Sequence, residues 1–284
     1  MLVRRDLPLK VAGALAALFV FCFLGLILFE VFKKGYSSIS LSFLMDAPLD
    51  AGREGGIFPI LQSTFFILMV CFSVVLPLGT ITAYVLSEFL APKSFLAMLL
   101  GLSLDLFAGM PSIVFGLFGL FFFGDVLGFG FSILSGGLTL ALMVLPFYTR
   151  SVEDGLRLVP RHCRDGAAAL ALSSSSTFFH VILPLSLPSI VVGFILGVSR
   201  ALAETAALLF TSGYVTRSPE SLLDSGRALS VHIYDLAMNV PGGDKKAFGS
   251  VLVLMVLLLL IFQTTKFLGS YFQSRLLGVL SSAP

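Results

Sequence analysis

The sequence has no tryptophan, three cysteines, three histidines and only 12% charged residues. Each scarcity removes a class of reading. A soluble domain carries about 25% charged residues. This chain has half that, and 57% of its 284 residues are hydrophobic, so much of its surface must face lipid or other spanning helices. Cys22 and Cys71 sit in apolar runs and Cys163 in a basic loop. Their spacing fits neither a metal site nor a disulfide framework, which leaves them as small apolar packing residues. His162, His180 and His232 are scattered over loops with no nucleophile elbow before them, so an intramembrane hydrolase lacks its constellation. No Gly-rich loop ends in Gly-Lys-Ser/Thr, so ATP hydrolysis is not expected here. A net charge of +2 gives no reason to expect nucleic acid.

What the chain has instead is long apolar runs. A spanning helix needs about 20 mainly apolar residues. Six stretches qualify: 11–32, 58–86, 95–123, 131–149, 189–210 and 247–268. The second and third exceed the need, which predicts tilt or a break. Arg4, Arg5 and Lys10 before Val11–Phe32 resemble a signal peptide. The run is too long for one, and no small-x-small site precedes Lys33-Lys34, so it reads as an uncleaved first span. With the N-terminus inside, ten lysines and arginines fall on inner segments and seven on outer ones. The strongest contributors are the N-terminus and the 150–188 loop, and even parity places the C-terminus inside as well.

The 150–188 stretch is patterned. Val152, Leu156 and Val159 recur at helical spacing, with Glu153, Asp154 and Arg157 on other faces. An Ala-rich run from Gly166 to Leu172 favours helix, and Ser173–Ser176 interrupts it. Thr177–Leu183 resumes the pattern, and Pro184 and Pro188 stop it before the fifth span. Two or three short amphipathic helices and a solvated surface loop both fit.

Two intramembrane features carry chemistry. Arg200 lies near the middle of the fifth span, where an arginine costs about 2.5–3.5 kcal/mol to insert. Glu204 follows at helical spacing of four, so the two share a face and can pair, and Thr205 adds a hydroxyl. Either this is an ion pair that fixes packing, or it is a pathway gate with a planar guanidinium available to a tetrahedral oxyanion. In the third span, Gly109-Met110-Pro111-Ser112 predicts a proline kink or two half-helices. In the second case, free N–H groups at Ser112 would favour an anion. Pro77 and Pro146 read as kinks. Asp105 is a further intramembrane acid whose partner the sequence does not name.

At these residues a resemblance enters. Ala108-Gly109-Met110-Pro111-Ser112-Ile113-Val114-Phe115-Gly116-Leu117-Phe118-Gly119-Leu120 closely resembles the third-span signature of phosphate ABC-transporter permeases. Gly136-Gly137-Leu138-Thr139-Leu140-Ala141-Leu142-Met143-Val144-Leu145-Pro146 is similar to the fourth-span signature. Arg200-Ala201-Leu202-Ala203-Glu204-Thr205-Ala206-Ala207-Leu208-Leu209-Phe210 and Gly55-Gly56-Ile57-Phe58-Pro59 match too. Length and the start of the second span look more like the PstA-type subunit than the PstC-type. Importer permeases of this kind carry a cytoplasmic loop with Glu-Ala-Ala, three residues, Gly, and a downstream Leu-Pro. Measured back from Leu183-Pro184, that pattern falls on Asp165-Gly166-Ala167 and Ala171, with Ser173–Ser176 at the turn. The motif is degenerate. The retained spacing implies an ATPase-coupling helix around Ser173, Thr177 and His180, and the missing Gly suggests a bend made differently.

The resemblance implies an all-α membrane protein of six spanning helices with the type I, MetI-like importer permease fold. It implies residues 1–57 as a cytoplasmic tail, first span and external loop, 58–268 as a permease core, and 269–284 as a cytoplasmic tail. The chain would pass inorganic phosphate across a bacterial plasma membrane by alternating access. Its partners would be membrane lipid, a PstC-type permease, an ATPase dimer that uses ATP and Mg, and an extracytoplasmic phosphate-binding protein, with no cofactor in this chain. Arg200 and Glu204 match family positions tied to phosphate passage. Thr205 follows from its place beside Glu204, and Ser112 from the helix-terminus argument. The rivals are the same architecture carrying sulfate or molybdate, a stand-alone secondary transporter, for which no inverted repeat is visible, and a purely structural membrane subunit.

Overall fold

The computed structural model describes the backbone of residues 7–91 and 93–281, and side chains over 10–91 and 93–271. Arg4, Arg5 and the Arg275 side chain, which count towards the predicted orientation, lie outside the described residues. So does the end of the 269–284 tail.

Among the described residues the regular structure is helical apart from one hairpin of two-residue strands. Helix α1 (Leu7–Gly35) leads through α2 (Leu41–Met45) into that hairpin, where Pro48 pairs with Gly55 and Leu49 with Glu54. Then follow α3 (Phe58–Tyr84), α4 (Phe95–Gly109), α5 (Ser112–Gly119), α6 (Ile133–Leu158), α7 (Arg161–Ala169), α8 (Ser174–Thr177), α9 (Leu183–Ala203), α10 (Ala206–Leu209), α11 (Leu229–Met238) and α12 (Asp244–Ser281). Five described helical stretches are long and apolar enough to cross a membrane: Lys10–Ser38, Phe58–Phe89, Ile133–Leu158, Ser174–Ala203 and Asp244–Tyr271. A sixth stretch is Phe95–Gly109 with Ser112–Val126, bent by 102° at its break.

Helix α6 is the axis of the bundle, with 67% of its apolar window buried, whereas none of α1's window is covered by its own chain. Ser132 caps α6 by accepting from Ser135 N at 3.1 Å. Along α6, small residues let neighbouring backbones approach. A Cβ on Gly155 would lie 2.2 Å from Ser189 of α9, and one on Gly137 would lie 2.6 Å from Val70 of α3. Tyr148, also on α6, is buried against Gly79 and its hydroxyl pairs with Thr80 at 2.9 Å.

Several boundaries differ from the sequence reading. The third span is a broken pair, not a simple kink, because Pro111 cannot supply the next helical N–H and Met110 and Pro111 are both extended. Helix α6 continues to Leu158, past the expected end at 149, because Val152 and Leu156 bury fully. Glu153, expected on a solvent face, is buried too. Pro184 and Pro188 do not stop the chain, and helix runs from Ser174 to Ala203. A π-helical turn at Phe178–Ile182 widens the spiral just before Pro184, which makes room for a residue with no N–H. Pro77 and Pro146 lie inside continuous helices. Cys71 packs in the core as expected, Cys163 is half-buried, and Cys22 is exposed on α1.

The α7 turn corrects a further expectation. Ala171 N donates to Ala168 O at 2.9 Å and Leu172 N to Ala167 O at 3.1 Å. These are the paired bonds of a Schellman cap, which puts the residue after the cap in the left-handed region. Ala171 takes that position with φ 53°, so the bend is the one a glycine would make. An L-residue there costs about 1–2 kcal/mol.

At the opposite end, α11 buries His232 completely, under the Asp50–Gly52 turn. A Cβ on Gly52 would stand 2.8 Å from His232 Cε1. Both ring nitrogens are buried without a partner. Burial, reinforced by the Arg227 charge and opposed by Asp235, pushes the imidazole down to about 4.

Two predictions follow from these local structures. Ala171→Gly relieves strain but loosens the unfolded chain, so a net gain of about 0.5 kcal/mol is expected, read as slower proteolysis of the 170–173 turn. Faster cutting would refute a strained turn. For His232, the folded ring refuses a proton that the unfolded ring accepts near pH 6.5. Its stabilisation is complete above that pH and is lost as pH falls through about 4, by roughly 3 kcal/mol in all. Thermal unfolding from about pH 7 to pH 4 should therefore decline more steeply in the wild type than in His232→Gln. Equal slopes would place the acid sensitivity elsewhere.

Candidate functional site

The fifth span ends where its sequence favours continuation. Ala203 is the last helical residue, and Glu204 turns out at φ −75°, ψ 127°. Helix resumes for one turn at Ala206. The helical Arg200–Glu204 pair expected from the spacing is therefore not formed. Among the described residues no ion pair or hydrogen bond joins the two side chains. The Glu204 carboxylate reaches forward instead, accepting from Ala207 N at 3.2 Å. Its backbone carbonyl accepts from the Ser230 hydroxyl.

Arg200 is thus left beside the break with an apolar partner. Its guanidinium lies 4.6 Å from the Phe147 ring centroid, and its Nε is buried with no hydrogen-bond partner. Arg200 as a residue is half-buried, and such a cation–π contact is worth about 0.5–2 kcal/mol according to how far it is desolvated. Thr205 is half-buried and supplies no side-chain cap to α10.

Helix α5 brings the other break alongside. Gly116 would place a Cβ 3.0 Å from Ala207 Cα, and Gly119 one 2.9 Å from Thr211. The contacts advance together, Gly116 on Ala207 and Gly119 on Thr211, so α5 and the chain after the Glu204 break run side by side in the same direction. Ser112 is the first residue of α5, half-buried behind Pro111.

A second cluster fastens the end of the bundle that carries α7. Arg150 pairs with Asp105 at 2.8 Å and with Glu153 at 2.9 Å, and donates to Gly101 O at 3.0 Å. This supplies the Asp105 partner. Arg157 pairs with Glu153 and reaches Leu86 O at 3.2 Å. Arg164 of α7 holds Glu88 through two bonds, at 2.6 and 3.1 Å, and also donates to Leu156 O. A cavity of ≈ 230 Å³ lies here, lined by Glu88, Arg164, Leu172, Ser174 and Thr177 among others.

Of the loop residues singled out from sequence, Asp165 and Gly166 are exposed on α7 and Ala167 is buried beneath them. Ser173 caps α8 by accepting from Ser176 N at 3.2 Å. Thr177 is half-buried, and Leu183 and Pro184 belong to the continuous span. Sequence reasoning missed Ser230, Phe147, Glu88 and Arg150. Only the Arg150–Glu153–Arg157 spacing of three and four carried a signal.

The model described as "Binding-protein-dependent transport system inner membrane component" matches residues 75–278. The chain is 29% identical to "Probable ABC transporter permease protein YqgI" of Bacillus subtilis over 93% of this chain and 94% of that one. It is 30% identical to "Phosphate transport system permease protein PstC" of Haemophilus influenzae, covering 90% and 88%. It is 31% identical to "Phosphate transport system permease protein PstA" of Mycobacterium leprae, covering 72% and 67%. In three dimensions it resembles a chain of the MetNI methionine ABC transporter in inward-facing form. There the TM-score is 0.56 at 19% identity, over 78% of this chain and 94% of the other. That likeness establishes the fold as the MetI-type importer permease. The chain belongs to the family of binding-protein-dependent transport system inner membrane components, and is a non-catalytic permease subunit of a multi-subunit ABC-type importer.

Proposed function

We propose that this chain is the PstA-type permease subunit of an ATP-driven phosphate importer in a bacterial plasma membrane. Its termini and its α7–α8 loop would face the cytoplasm. The observation that carries the reading is Arg200, an intramembrane guanidinium with a buried Nε that has no hydrogen-bond partner among the described residues. A planar fork of N–H donors suits a tetrahedral oxyanion. An anion passing the break would receive charge-assisted hydrogen bonds there, with the Thr205 and Ser112 hydroxyls as neutral donors on the two interrupted segments. The relatives named as phosphate permeases support the substrate. They include both PstA and PstC types, and the PstA assignment rests on length and on the start of the second span.

The remaining parts follow from this reading. A PstC-type permease would complete the passage, and an extracytoplasmic phosphate-binding protein would deliver the ion. An ATPase dimer, using ATP and Mg, would dock on the loop from Asp165 to Pro184. That loop offers an apolar contact, since Leu170 is 76% exposed at the strained turn. The Glu88–Arg164 bond fixes the turn to the end of α3, so a push on the loop moves a spanning helix.

Arg200→Gln should leave assembly intact and lower uptake of labelled phosphate about 10–100-fold, the worth of a hydrogen bond to a charged group. Uptake at the wild-type rate would remove Arg200 from the passage. Excess sulfate should not compete in the same assay, and competition would move the substrate to another oxyanion. Leu170→Asp should lose the co-purifying ATPase while retaining the partner permease. A variant that keeps the ATPase would place the dock elsewhere.

A further inference from the structure

We propose that Ser230 is a positioning residue that holds Glu204 away from Arg200, so that its hydroxyl selects between a free and a quenched guanidinium. The proposal rests on the assignment of the Arg200–Thr205 break to the passage and adds a control to it.

The break has little local support. Ala201, Ala203, Ala206, Ala207, Leu208 and Leu209 surround it, and these are strong helix formers. In a continuous helix the Glu204 carbonyl would bond to Leu208 N, and the Glu204 carboxylate would lie one turn from Arg200, where opposite charges pair. The observed alternative needs another donor for that carbonyl, since an unpaired carbonyl in apolar surroundings costs several kcal/mol. Ser230, 26 residues later and 8% exposed, supplies it. The carboxylate, turned forward, then caps Ala207 N.

Ser230 is itself held in place. Leu229 N, at the start of α11, donates to the buried Thr64 hydroxyl of α3 at 2.9 Å. Arg227 pairs with Asp235 at 2.8 Å, which locks the entry to α11. The segment between Glu204 and Ser230 is anchored at its far end to α6. The first-turn donors Ser132 N, Ile133 N and Leu134 N bond to the carbonyls of Thr211, Asp224 and Leu222. The chain from 205 to 229 is therefore a closed unit, held to α6 at one end and to α3 at the other. The Ser230–Glu204 bond joins α11 to the end of α9, so relative movement of those two helices would pull on it. Breaking it frees the carbonyl to rejoin the helix and brings the carboxylate onto Arg200.

The test uses the whole reconstituted complex with Ser230→Ala, Ser230→Thr and Ser230→Ala in a Glu204→Gln background. Ser230→Ala should slow amide hydrogen exchange over residues 203–207 as the helix closes. It should lower the maximal rate of phosphate uptake about tenfold with little change in half-saturating concentration. Ser230→Thr, which keeps the hydroxyl, should restore both. In the Glu204→Gln background the alanine should cost little, because no carboxylate remains to quench Arg200. Unchanged exchange in Ser230→Ala overturns the proposal. So does an equal loss in both Glu204 backgrounds, a threonine variant as impaired as the alanine, or a change in half-saturation alone. If the wild-type complex carries no phosphate, the substrate assignment falls, while the exchange measurement still decides the role of Ser230.

Discussion

The structure depends on one constraint: a backbone carbonyl or amide in an apolar bundle must find a partner. Continuous helices meet it internally, and this chain interrupts two of its apolar stretches. At Met110-Pro111 the interruption is inexpensive, because proline has no N–H to satisfy and its carbonyl takes Val114 N at 3.0 Å. At Glu204-Thr205 no proline excuses it, and the chain must import a hydroxyl from α11 and a carboxylate from Glu204. Gly116 lets α5 pack against Ala207 and Phe210 after the second break, and Gly119 makes room for Thr139 and Thr211. Close packing and irregular backbone therefore occur together, and both require the small residues that the third-span sequence contains.

The long apolar runs were legible because a membrane sets their length, and the number of stretches follows from that alone. The interruption at Pro111 was legible as a kink or a break, because proline lacks the N–H, but the choice between them was not. The break at Glu204 was not, because every local preference from Ala201 to Leu209 favours helix and the spacing of Arg200 and Glu204 suggests a pair. What overrides them is Ser230, whose identity says nothing of its contact. The partner of Asp105 was hidden for a similar reason. Arg150 lies 45 residues away, and only the packing of α4 on α6 brings the two together. Pro184 misled in the other direction, since a π-helical turn absorbs it. Ala171 misled because a missing glycine does not abolish a Schellman turn when Leu172 N still reaches Ala167 O.

The arginines divide by partner. Arg150, Arg157 and Arg164 each hold a carboxylate and a backbone carbonyl at the α7 end. Arg227 and Asp235 form a largely buried pair near the opposite end. These pairs tie elements distant in sequence, and each neutralises the charge it uses. Arg200 differs from all of them: the one contact among the described residues that involves its charge is the Phe147 face. It stands half-buried in the last turn of α9, with no counter-charge among the described residues.

That difference bears on how a single helix break can be functional without being fragile. If Arg200 were neutralised by Glu204, the fifth span would be more stable and electrostatically silent. Keeping the two apart costs the energy of that pair. The Ser230 bond, the Ala207 cap and the Phe147 contact each offset part of that cost, about 1–2 kcal/mol apiece. A small free-energy gap is what a moving part needs, because only then does a modest change in helix packing alter which form prevails. The α7-end ion pairs show the opposite design, with Arg150, Arg157 and Arg164 each answered by a carboxylate. Motion that enters through those paired charges would be expressed where the backbone is least tied, at the break.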